Sequence, residues 1–465
     1  MRRVVTLILS MIAVLGLAQN RQLLYNVSDL PQTLLSNPGS QYHFDKYVGV
    51  PFLSSISASA GSSGLSVWDI FREGGDINEN IETAILTLNN RDVFTANQQL
   101  ELLSVGWLGR DEETFYSAGI YQETDFIVYF PNDWIELAYF GNANFTNRRF
   151  NFSDIAATAE VLTAYHFGVN KKLRTNLRVG ARAKVYMSIL NLNSTGNEGF
   201  FRTRPSPEGP NFFIHELVGA NAEARISGIN DVYDEGAGVL LKRALLSPNI
   251  GLGFDLGFTY DFSKQLSFTG SILDIGFIAH TTDLRNIRAR GDFETSGIEL
   301  QFEGFEAGQE AEDFFENFIA EFEENVQFED FIEESYVTLR PLKVNAGVHY
   351  GYGKDRRNVE CNCLNKKDET FLNSIGFHLN AIKRPRSVLA AATISYDRSW
   401  ASFLKTRFTY TLDSFSSRNL GLLVSTKIKN FNFYLAADNL LEYADVAKAQ
   451  ELSVQMGMQV VINTK

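Results

Sequence analysis

The sequence predicts an all-β fold, a transmembrane antiparallel up-and-down β-barrel of about fourteen strands. Two observations lead to this prediction: long runs in which apolar and polar residues alternate, and a succession of short turns and long connections. The composition agrees, because 37 Phe, 18 Tyr and 35 Gly accompany only 10 Pro among the 465 residues. Many aromatic residues and glycines with little proline are typical of large β-structures.

The first element along the chain is an export signal. Two arginines precede an apolar run over residues 4–15, and small residues lead to a cleavage site after Ala18. This layout is typical of a secretory signal peptide, here residues 1–18, and the apolar run is shorter than the roughly 20 residues of a membrane-spanning helix. The mature chain is therefore expected to begin at Gln19.

The stretch NIGLGFDLGFTYDF, residues 249–262, shows the alternation most clearly. From Ile250 every second residue is large and apolar, and the residues between them are Gly, Asp or Thr. A period of two places the large side chains on one face of a strand and the small or polar ones on the other. The run is about twice as long as the 5–6 residues of an ordinary strand. Such a strand is expected to turn its apolar face to lipid and its polar face to a barrel interior.

The same alternation recurs along the chain and predicts fourteen strands. They cover residues 47–60, 97–107, 113–130, 155–169, 175–191, 249–262, 265–279, 338–352, 371–381, 387–397, 400–411, 419–429, 431–438 and 452–463. Short turns are expected near 109–112, 170–174, 263–264, 398–399 and 429–430, and large insertions at 192–248 and 280–337. In outer-membrane barrels the short turns lie on the periplasmic side and the long loops outside the cell. A soluble β-sandwich is the alternative, but it leaves the strand length and the two classes of connection unexplained.

Two local features concern strand register. If the turn at 170–174 is symmetric, Glu160 lies opposite Lys184 on the neighbouring strand, and His166 lies opposite Arg178. In residues 266–280 the alternation changes phase after Ile272. A change of phase within one strand predicts a β-bulge at that point.

The polar face of the predicted strands supplies the candidate site. Six charged residues are expected to face the lumen: Glu160, Arg178, Arg182, Lys184, Asp255 and Asp261. The basic residues could meet the acidic ones across the interior. Two interpretations remain open, a salt-bridge network that fills the lumen or a set of charges that guides a solute or holds a plug.

No pattern of catalytic residues occurs in the sequence. The six His are scattered without the spacing of a zinc site, and no G-x-S-x-G nucleophile motif is present. Cys361 and Cys363 are too few to form a disulfide framework. We therefore expect no enzyme, no cofactor and no metal centre, with a membrane-embedded hydrolase as the alternative. The net charge of −13 without a basic face also indicates no nucleic-acid partner.

One insertion differs in charge from the rest of the chain. Residues 302–334 hold 13 acidic residues and no basic one. Within it an apolar stripe of helical spacing, containing Phe314, Phe318 and Phe322, runs among carboxylates such as Glu312 and Asp313. This pattern predicts an extracellular acidic amphipathic helix. It could cap the barrel mouth, bind a protein partner in the outer membrane, or bridge lipopolysaccharide phosphates through divalent cations.

Three stretches resemble a known family. They are LLYNVSDLPQTLLSNPGSQYHFDKYVGVPFLSSISASAGSSGLSVWDIF (23–71), SFTGSILDIGFIAH (267–280) and FNFYLAADNLLEYA (431–444). In this order they resemble a Bacteroidota family of outer-membrane barrels of unknown function, which is similar to fourteen-stranded barrels of the long-chain fatty-acid transporter (FadL) type. The resemblance implies a plug formed by residues 19–46 inside a barrel formed by 47–465. It also implies a bacterial outer membrane, with its lipid and lipopolysaccharide, as the location.

Two functions are compatible with these features. The first is gated passage of a small or hydrophobic solute through the barrel. The alternative is a non-transporting barrel that serves as subunit or scaffold of an outer-membrane secretion, assembly or surface-display machine.

Overall fold

The computed structural model describes residues 21–72, 75–206, 212–230, 238–296, 321–354 and 371–463. They form a closed β-barrel and a smaller sheet at one end of it. The expected signal peptide, Cys361, Cys363 and most of the acidic insertion lie outside the described residues.

The strands are numbered in chain order. They are β1 (Lys46–Gly49), β2 (Ile56–Ser62), β3 (Val93–Leu108), β4 (Thr114–Tyr129), β5 (Arg149–Asn151), β6 (Ala157–Arg174), β7 (Leu177–Ser194), β8 (Glu198–Pro205), β9 (Phe213–Ser227), β10 (Ile250–Asp261), β11 (Leu266–His280), β12 (Asn286–Thr295), β13 (Val326–Ile332), β14 (Tyr336–Leu339), β15 (Lys343–Lys354), β16 (Phe371–Lys383), β17 (Val388–Ala401), β18 (Leu404–Asp413), β19 (Asn419–Ile428), β20 (Phe431–Asp438) and β21 (Glu451–Ile462).

The barrel closes between the two ends of the chain. β21 pairs antiparallel with β1 and β2, and both of these also pair with β3. β1 and β2 form a single barrel strand interrupted at residues 50–55, and β14 and β15 form another beside β11. From β3 onward, β4, β6, β7, β10, β11, β15 and β16 to β21 pair in succession. The barrel therefore has fourteen antiparallel strands, and the predicted fold class is confirmed.

The helices are short and lie in the connections. They are Thr33–Ser36, Val67–Phe71, Ile77–Thr87, Asn132–Phe140 and Gly238–Leu245, with 3-10 turns at Arg21–Leu24, Ala143–Phe145, Phe152–Asp154, Glu442–Ala444 and Val446–Lys448. Helix Val67–Phe71 begins with a capping box, in which the Ser66 amide donates to Asp69 (2.7 Å) and the Asp69 amide donates to Ser66 (3.4 Å). Among the residues that the structure describes, no helix has the length and apolar character needed to cross a bilayer.

The outer face of the barrel is apolar and its interior is polar. On β10, Leu252 and Phe254 are 49% and 57% exposed, whereas Asp255 between the outward residues is 0% exposed. This distribution is the reverse of that in a soluble protein, where charged side chains are exposed and large apolar ones are buried. A barrel with an apolar outer band faces lipid, so the strands span a membrane.

A second, five-stranded sheet extends from the side of the barrel that carries the long connections. β8 pairs with β5 and β9, and β12 pairs with β9 and β13. It is continuous with the barrel, because residues 191–193 of β7 pair with 225–227 of β9. Since the long loops of outer-membrane barrels face outward, we assign this sheet to the extracellular side.

Of the two predictions about strand register, one is wrong and the other is confirmed. The predicted pairs of Glu160 with Lys184 and of His166 with Arg178 are wrong, because Glu160 pairs with Asn191 and His166 pairs with Lys184. The reason is that β6 continues through its charged residues to Arg174, and the turn to β7 lies at 175–176. Charged side chains at the solvated rim of a barrel do not end a strand, so the predicted turn was placed too early. The β-bulge after Ile272 is confirmed by the register shift opposite β10.

Candidate functional site

Residues 21–45, which we name the luminal segment, run inside the barrel. Wall side chains hold this segment by donating hydrogen bonds to its backbone carbonyl groups. Arg182 donates to the carbonyls of Leu34 (3.0 Å) and Leu35 (2.8 Å). Arg407 donates to the carbonyl of Tyr25 (2.6 Å). These guanidinium groups satisfy carbonyls at the end of short helical turns, which would otherwise be buried without a donor.

Neutral side chains of the wall make the same kind of contact. The Asn170 amide donates to the carbonyls of Pro38 (2.6 Å) and Ser40 (2.9 Å). The Ser271 hydroxyl donates to the carbonyl of Ser36 (2.7 Å). The luminal segment thus follows the wall through its main chain, although it contributes no strand to the barrel sheet.

Two wall glycines allow this close approach. Gly180 of β7 and Gly257 of β10 are cross-strand partners and face the lumen. A Cβ atom on Gly180 would lie 2.0 Å from the carbonyl oxygen of Pro38, and one on Gly257 would lie 2.0 Å from the Asn37 side-chain oxygen. The glycines of the alternating sequence are therefore needed where the backbone of the luminal segment contacts the wall.

The luminal segment also contains one partly exposed ion pair and one aromatic stack. Asp29 pairs with Lys405 and lies 3.3 Å from His43. Burial opposes the charge of Asp29, yet the two basic neighbours outweigh it and hold the pKa of this carboxyl below its usual value. Further inside, the Tyr25 ring stacks on the His378 ring at 3.9 Å, and its hydroxyl donates to Thr269 (3.0 Å).

Beyond the luminal segment, buried charges form an ion network. Its members are Glu123, Arg182, Lys184, Asp255, Asp274, Arg340 and Lys343. Lys184 lies 2.9 Å from Asp255, and Lys343 links Asp274 (2.9 Å) to Glu123 (3.4 Å). Each charge has an opposite partner, as buried charges require.

All six residues of the predicted candidate site lie inside the barrel, but only three of them meet. Arg182 and Lys184 both pair with Asp255. Asp255 is the cross-strand partner of Arg182 on the adjacent strand. The expectation that these charges meet across the interior is therefore wrong, because the wall itself brings them together.

The other three candidates contact neutral groups. Glu160 accepts hydrogen bonds from Ser188 and Asn191, both at 2.6 Å. Asp261 accepts from Gln41 of the luminal segment (2.8 Å). The Arg178 guanidinium lies 4.6 Å from the centre of the Tyr42 ring, which also belongs to the luminal segment.

The sequence interpretation missed most of the ion network. Glu123 and Asp125 alternate on β4 and could have been found by the same period of two. Asp274 was hidden because the bulge places it on the inner face, with φ of 60°. Arg340 lies between β14 and β15, where the predicted strand 338–352 is interrupted, and Arg384 follows β16 beyond the predicted strand 371–381.

The turn between β16 and β17 crosses the extracellular mouth of the barrel. Arg384 donates to Asp125 of β4 (2.5 Å). The Arg386 side chain donates to the carbonyl of Asp154 (2.8 Å), and its backbone amide donates to the Tyr129 hydroxyl (3.0 Å). β4 is the third strand of the barrel and β16 the ninth, so this arginine turn connects opposite sides of the mouth.

Among the described residues, two neighbouring cavities lie between the mouth and the luminal segment. The first, of about 60 Å³, lies between the luminal segment and the ion network. The second, of about 50 Å³, lies below the arginine turn and is lined by Arg384 and Glu451. Gln22, Asn380 and Ile382 line both cavities, so the two are neighbours along the interior.

The remaining sequence predictions concern metals and the acidic helix. Within the described ranges no group of three or more His, Cys, Asp or Glu side chains is arranged to hold a metal ion. Glu312, Asp313, Phe314 and Phe318 lie outside those ranges. Phe322 lies in a helical turn at 321–325 and packs on Phe293 at 5.2 Å. The helical turn ends there, because Val326, four residues after Phe322, begins β13.

The apolar outer face, the closed ring of fourteen strands and the charged lumen define an outer-membrane β-barrel protein. The chain belongs to the family of unknown function DUF5723, whose model matches residues 38–438. The prediction of an outer-membrane family of unknown function is thereby confirmed, and its origin in Bacteroidota stays a prediction. No curated protein sequence matches the chain.

Several solved structures are similar over nearly the whole chain. The monoaromatic hydrocarbon channel CymD has 8% identity and a TM-score of 0.42, with 97% of this chain and 98% of that chain covered. The toluene transporter TodX of Pseudomonas putida has 9% identity and a TM-score of 0.38, with 92% of each chain covered. A FadL homologue of Pseudomonas aeruginosa has 8% identity and a TM-score of 0.41, with 93% and 94% covered.

Proposed function

We propose that the chain forms a gated passage for a small solute through the outer membrane, with the luminal segment as its plug. The observation that carries this proposal is the division of the lumen. The half near the short turns is filled by residues 21–45, whereas the other half contains two neighbouring cavities lined by polar side chains. A barrel that serves only as a rigid support needs neither a separate luminal segment nor cavities between that segment and the extracellular mouth.

The contacts of the luminal segment support its displacement. Many of them are hydrogen bonds from wall side chains to backbone carbonyls, and water can replace such a bond from a neutral donor at a net cost of about 0.5–1.5 kcal/mol. Arg182 and Arg407 are charged donors, and Leu23 and Leu30 also pack against Leu423 of the wall. The segment provides no barrel strand and joins the wall at Lys46. Its movement would therefore leave the pairing of the fourteen strands intact.

The lining of the cavities indicates a polar solute. Lys184, Asp274 and Lys343 line the first cavity, and Arg384 and Glu451 line the second. A purely hydrophobic solute would remove water from these charges without replacing their contacts. The sequence predicts a small or hydrophobic solute, and of these we propose a small polar solute. We assign the chain no enzymatic role.

Deletion of residues 19–45 tests the proposal. The signal peptide is retained, and the deleted and full-length proteins are reconstituted at equal density in liposomes and planar bilayers. We expect conductance and solute-driven swelling to rise several-fold on deletion, because the segment fills the lumen. Background conductance in a deleted protein that still folds as a heat-resistant barrel would contradict the plug.

A specific observation also favours the alternative, a scaffold role. The extracellular sheet exposes large apolar side chains on the neighbouring strands β12 and β13, including Ile287 and Phe328. An apolar patch on a projecting sheet is typical of a surface that binds another protein. Affinity purification in mild detergent distinguishes the two functions, because a scaffold retains stoichiometric partners whereas a channel is recovered alone.

A further inference from the structure

The helix Gly238–Leu245, which we name the lateral helix, has its apolar and charged sides reversed. Its exposed side carries Leu241 (72% exposed) and Leu245 (57%), and Leu246 directly after it is 75% exposed. On the opposite side of the helix, Arg243 is only 6% exposed. A helix on the surface of a soluble protein buries its apolar residues and exposes its charged ones. The lateral helix therefore has the same inverted distribution as the barrel wall.

The lateral helix lies against the outer surface of the barrel. Tyr165 of β6 stands between the buried residues Ala164 and His166, so its side chain points out of the barrel. Its hydroxyl donates to the carbonyl of Leu245, at the end of the lateral helix (2.7 Å). Phe167, the next outward residue of β6, is exposed. The helix therefore lies beside the wall and not over the lumen.

The exposed leucines are continuous with the lipid-facing surface of the barrel. Leu246 precedes Ile250, the first outward residue of β10, by four residues, which span at most about 14 Å. Ile250 is exposed, as is Leu252, the next outward residue of the same strand. The leucines therefore extend the apolar outer face of the barrel at its extracellular edge.

Arg243 fixes the lateral helix to the connections of the extracellular sheet. It pairs with Asp283 (2.7 Å), and both side chains are buried. The Asp283 carboxylate also accepts from the backbone amide of Asn230, shortly after β9 (3.0 Å). These contacts join the lateral helix to the connection that leaves the sheet after β9 and to the one that enters it before β12.

From these observations we propose that the lateral helix inserts into the outer leaflet of the membrane that the barrel spans. Leu241, Leu245 and Leu246 contact the acyl chains, because removing their side chains from water is favourable. The exposed Lys242 extends its ammonium group to the level of the lipid headgroups. Through Arg243 the inserted helix holds the extracellular sheet at the membrane surface. This arrangement is independent of whether the barrel conducts a solute.

The first test measures where the leucines lie in the full-length protein. Cys361→Ser and Cys363→Ser remove the native thiols, and a single nitroxide label is then attached at Leu241→Cys or at Leu245→Cys. The protein is reconstituted in liposomes of phosphatidylcholine, which carry no net charge. Electron paramagnetic resonance measures collisions of the label with oxygen, which concentrates in lipid, and with a water-soluble nickel chelate.

Two labelled positions serve as references for lipid and for water. Leu252→Cys lies on the lipid-facing surface of β10, and Glu82→Cys lies at an exposed position of the extracellular helix Ile77–Thr87. We expect the ratio of oxygen to nickel collisions in the lateral helix to be several-fold higher than at Glu82→Cys and to approach that at Leu252→Cys. A ratio equal to that at Glu82→Cys would place the leucines in water and overturn the inference. Low collision rates with both reagents would also overturn it, because protein, from this chain or from a second copy, would then cover the leucines.

The second test asks whether lipid holds the lateral helix in place. The label is attached at Leu246→Cys, and Leu241→Glu is combined with Leu245→Glu. Because a carboxylate is costly in an apolar layer, the two glutamates should expel the helix from the leaflet, and nickel collisions at the label should increase several-fold. Lys242→Glu is the matched control, since it changes the charge of the same helix at a position already directed to the headgroups. This variant should leave the collisions unchanged.

A label at Leu252→Cys in each of these variants controls for folding, because it keeps its high ratio of oxygen to nickel collisions only in an intact barrel. An increase in nickel collisions with the two glutamates but not with Lys242→Glu would support insertion. An equal increase in both variants, or no response to the two glutamates in an intact barrel, would contradict it.

Discussion

The two halves of the lumen are closed by different physical means. On the periplasmic side the main chain of the luminal segment fills the barrel, and wall residues such as Asn170 and Ser271 donate to its carbonyls. On the extracellular side the closure consists of side-chain ion pairs, such as those of Asp274 and Glu123, beside the two cavities. Apart from the guanidinium groups of Arg182 and Arg407, neutral donors hold the segment, and their hydrogen bonds exchange with water at low cost, whereas an unpaired buried charge is costly. We therefore expect the luminal segment on the periplasmic side to be displaceable and the ion pairs on the extracellular side to stay in place.

The largest effect is expected at the residue that belongs to both halves. Arg182 pairs with Asp255 and donates to two carbonyls of the luminal segment. Arg182→Ala leaves the buried carboxylate of Asp255 short of one of its two basic partners, and losing a partner of a buried ion pair typically costs about 3–5 kcal/mol. Thermal unfolding in detergent should show a large decrease in stability. Arg178→Ala, which removes a guanidinium stacked on Tyr42, is the control and should cost less. Equal losses would show that the ion network has no special role.

The next largest effect is expected from a substitution that displaces the luminal segment but leaves the barrel strands paired. Gly180→Ala places a Cβ atom where the structure leaves 2.0 Å to the carbonyl oxygen of Pro38. Overpacking of this kind typically costs about 1–3 kcal/mol, here by displacing the segment rather than the strands. Conductance should increase, and limited proteolysis should cleave residues 21–45 faster while the barrel stays intact.

A matched control for this variant is Gly168→Ala. The nearest atom to a Cβ at Gly168 is the Ser117 hydroxyl at 2.6 Å, and no atom of the luminal segment lies within 4 Å among its nearest contacts. This variant should leave conductance and proteolysis unchanged. An equal response of both variants would mean that any added methyl group in the wall loosens the barrel.

A smaller effect is expected at the arginine turn. Arg386→Ala removes the hydrogen bond to the carbonyl of Asp154 and the contact of the guanidinium with the Tyr129 ring, 5.4 Å away. In the protein lacking residues 19–45, we expect conductance to rise by about twofold, because the turn narrows the mouth without closing it. Arg398→Ala, beside Trp400 at the other end of the barrel, should not change the conductance. An unchanged conductance in Arg386→Ala would show that the turn does not restrict passage.

The smallest effect concerns the ion pair of Asp29 and Lys405. Both side chains are partly exposed, and exposed ion pairs contribute about 0–1 kcal/mol. Asp29→Asn should therefore change thermal stability only slightly, and added salt should reduce the difference between the variant and the unchanged protein. A loss as large as that of Arg182→Ala would contradict the view that this partly exposed ion pair contributes little to holding the luminal segment.

Strand periodicity made most of the barrel predictable before the structure was known. Alternation along β10 and β7 placed Asp255, Arg182 and Lys184 on the interior face, since successive side chains of a strand must point to opposite sides. Register was less predictable. The symmetric turn expected at 170–174 gave wrong partners for Glu160 and His166, because strand pairing continued through the charged residues to the turn at 175–176.

The candidate site was predictable only in part, for a related reason. Glu123 and Asp125 follow the period of two, whereas Asp274 faces the lumen only because a bulge changes the phase of β11. Arg384 lies in a turn, where no alternation of apolar and polar residues indicates which way a side chain faces. It lines the same cavity as Glu451 because the turn crosses the mouth and binds Asp125.

The sequence by itself determined that the chain forms a barrel and which faces of the strands meet lipid, because these depend on local geometry repeated along each strand. Only the tertiary structure decided which charges pair, where the luminal segment contacts Gly180, and that two cavities remain above it. Those features depend on contacts between residues far apart in the chain. Such contacts exist only after the ring of strands has closed around the segment inside it.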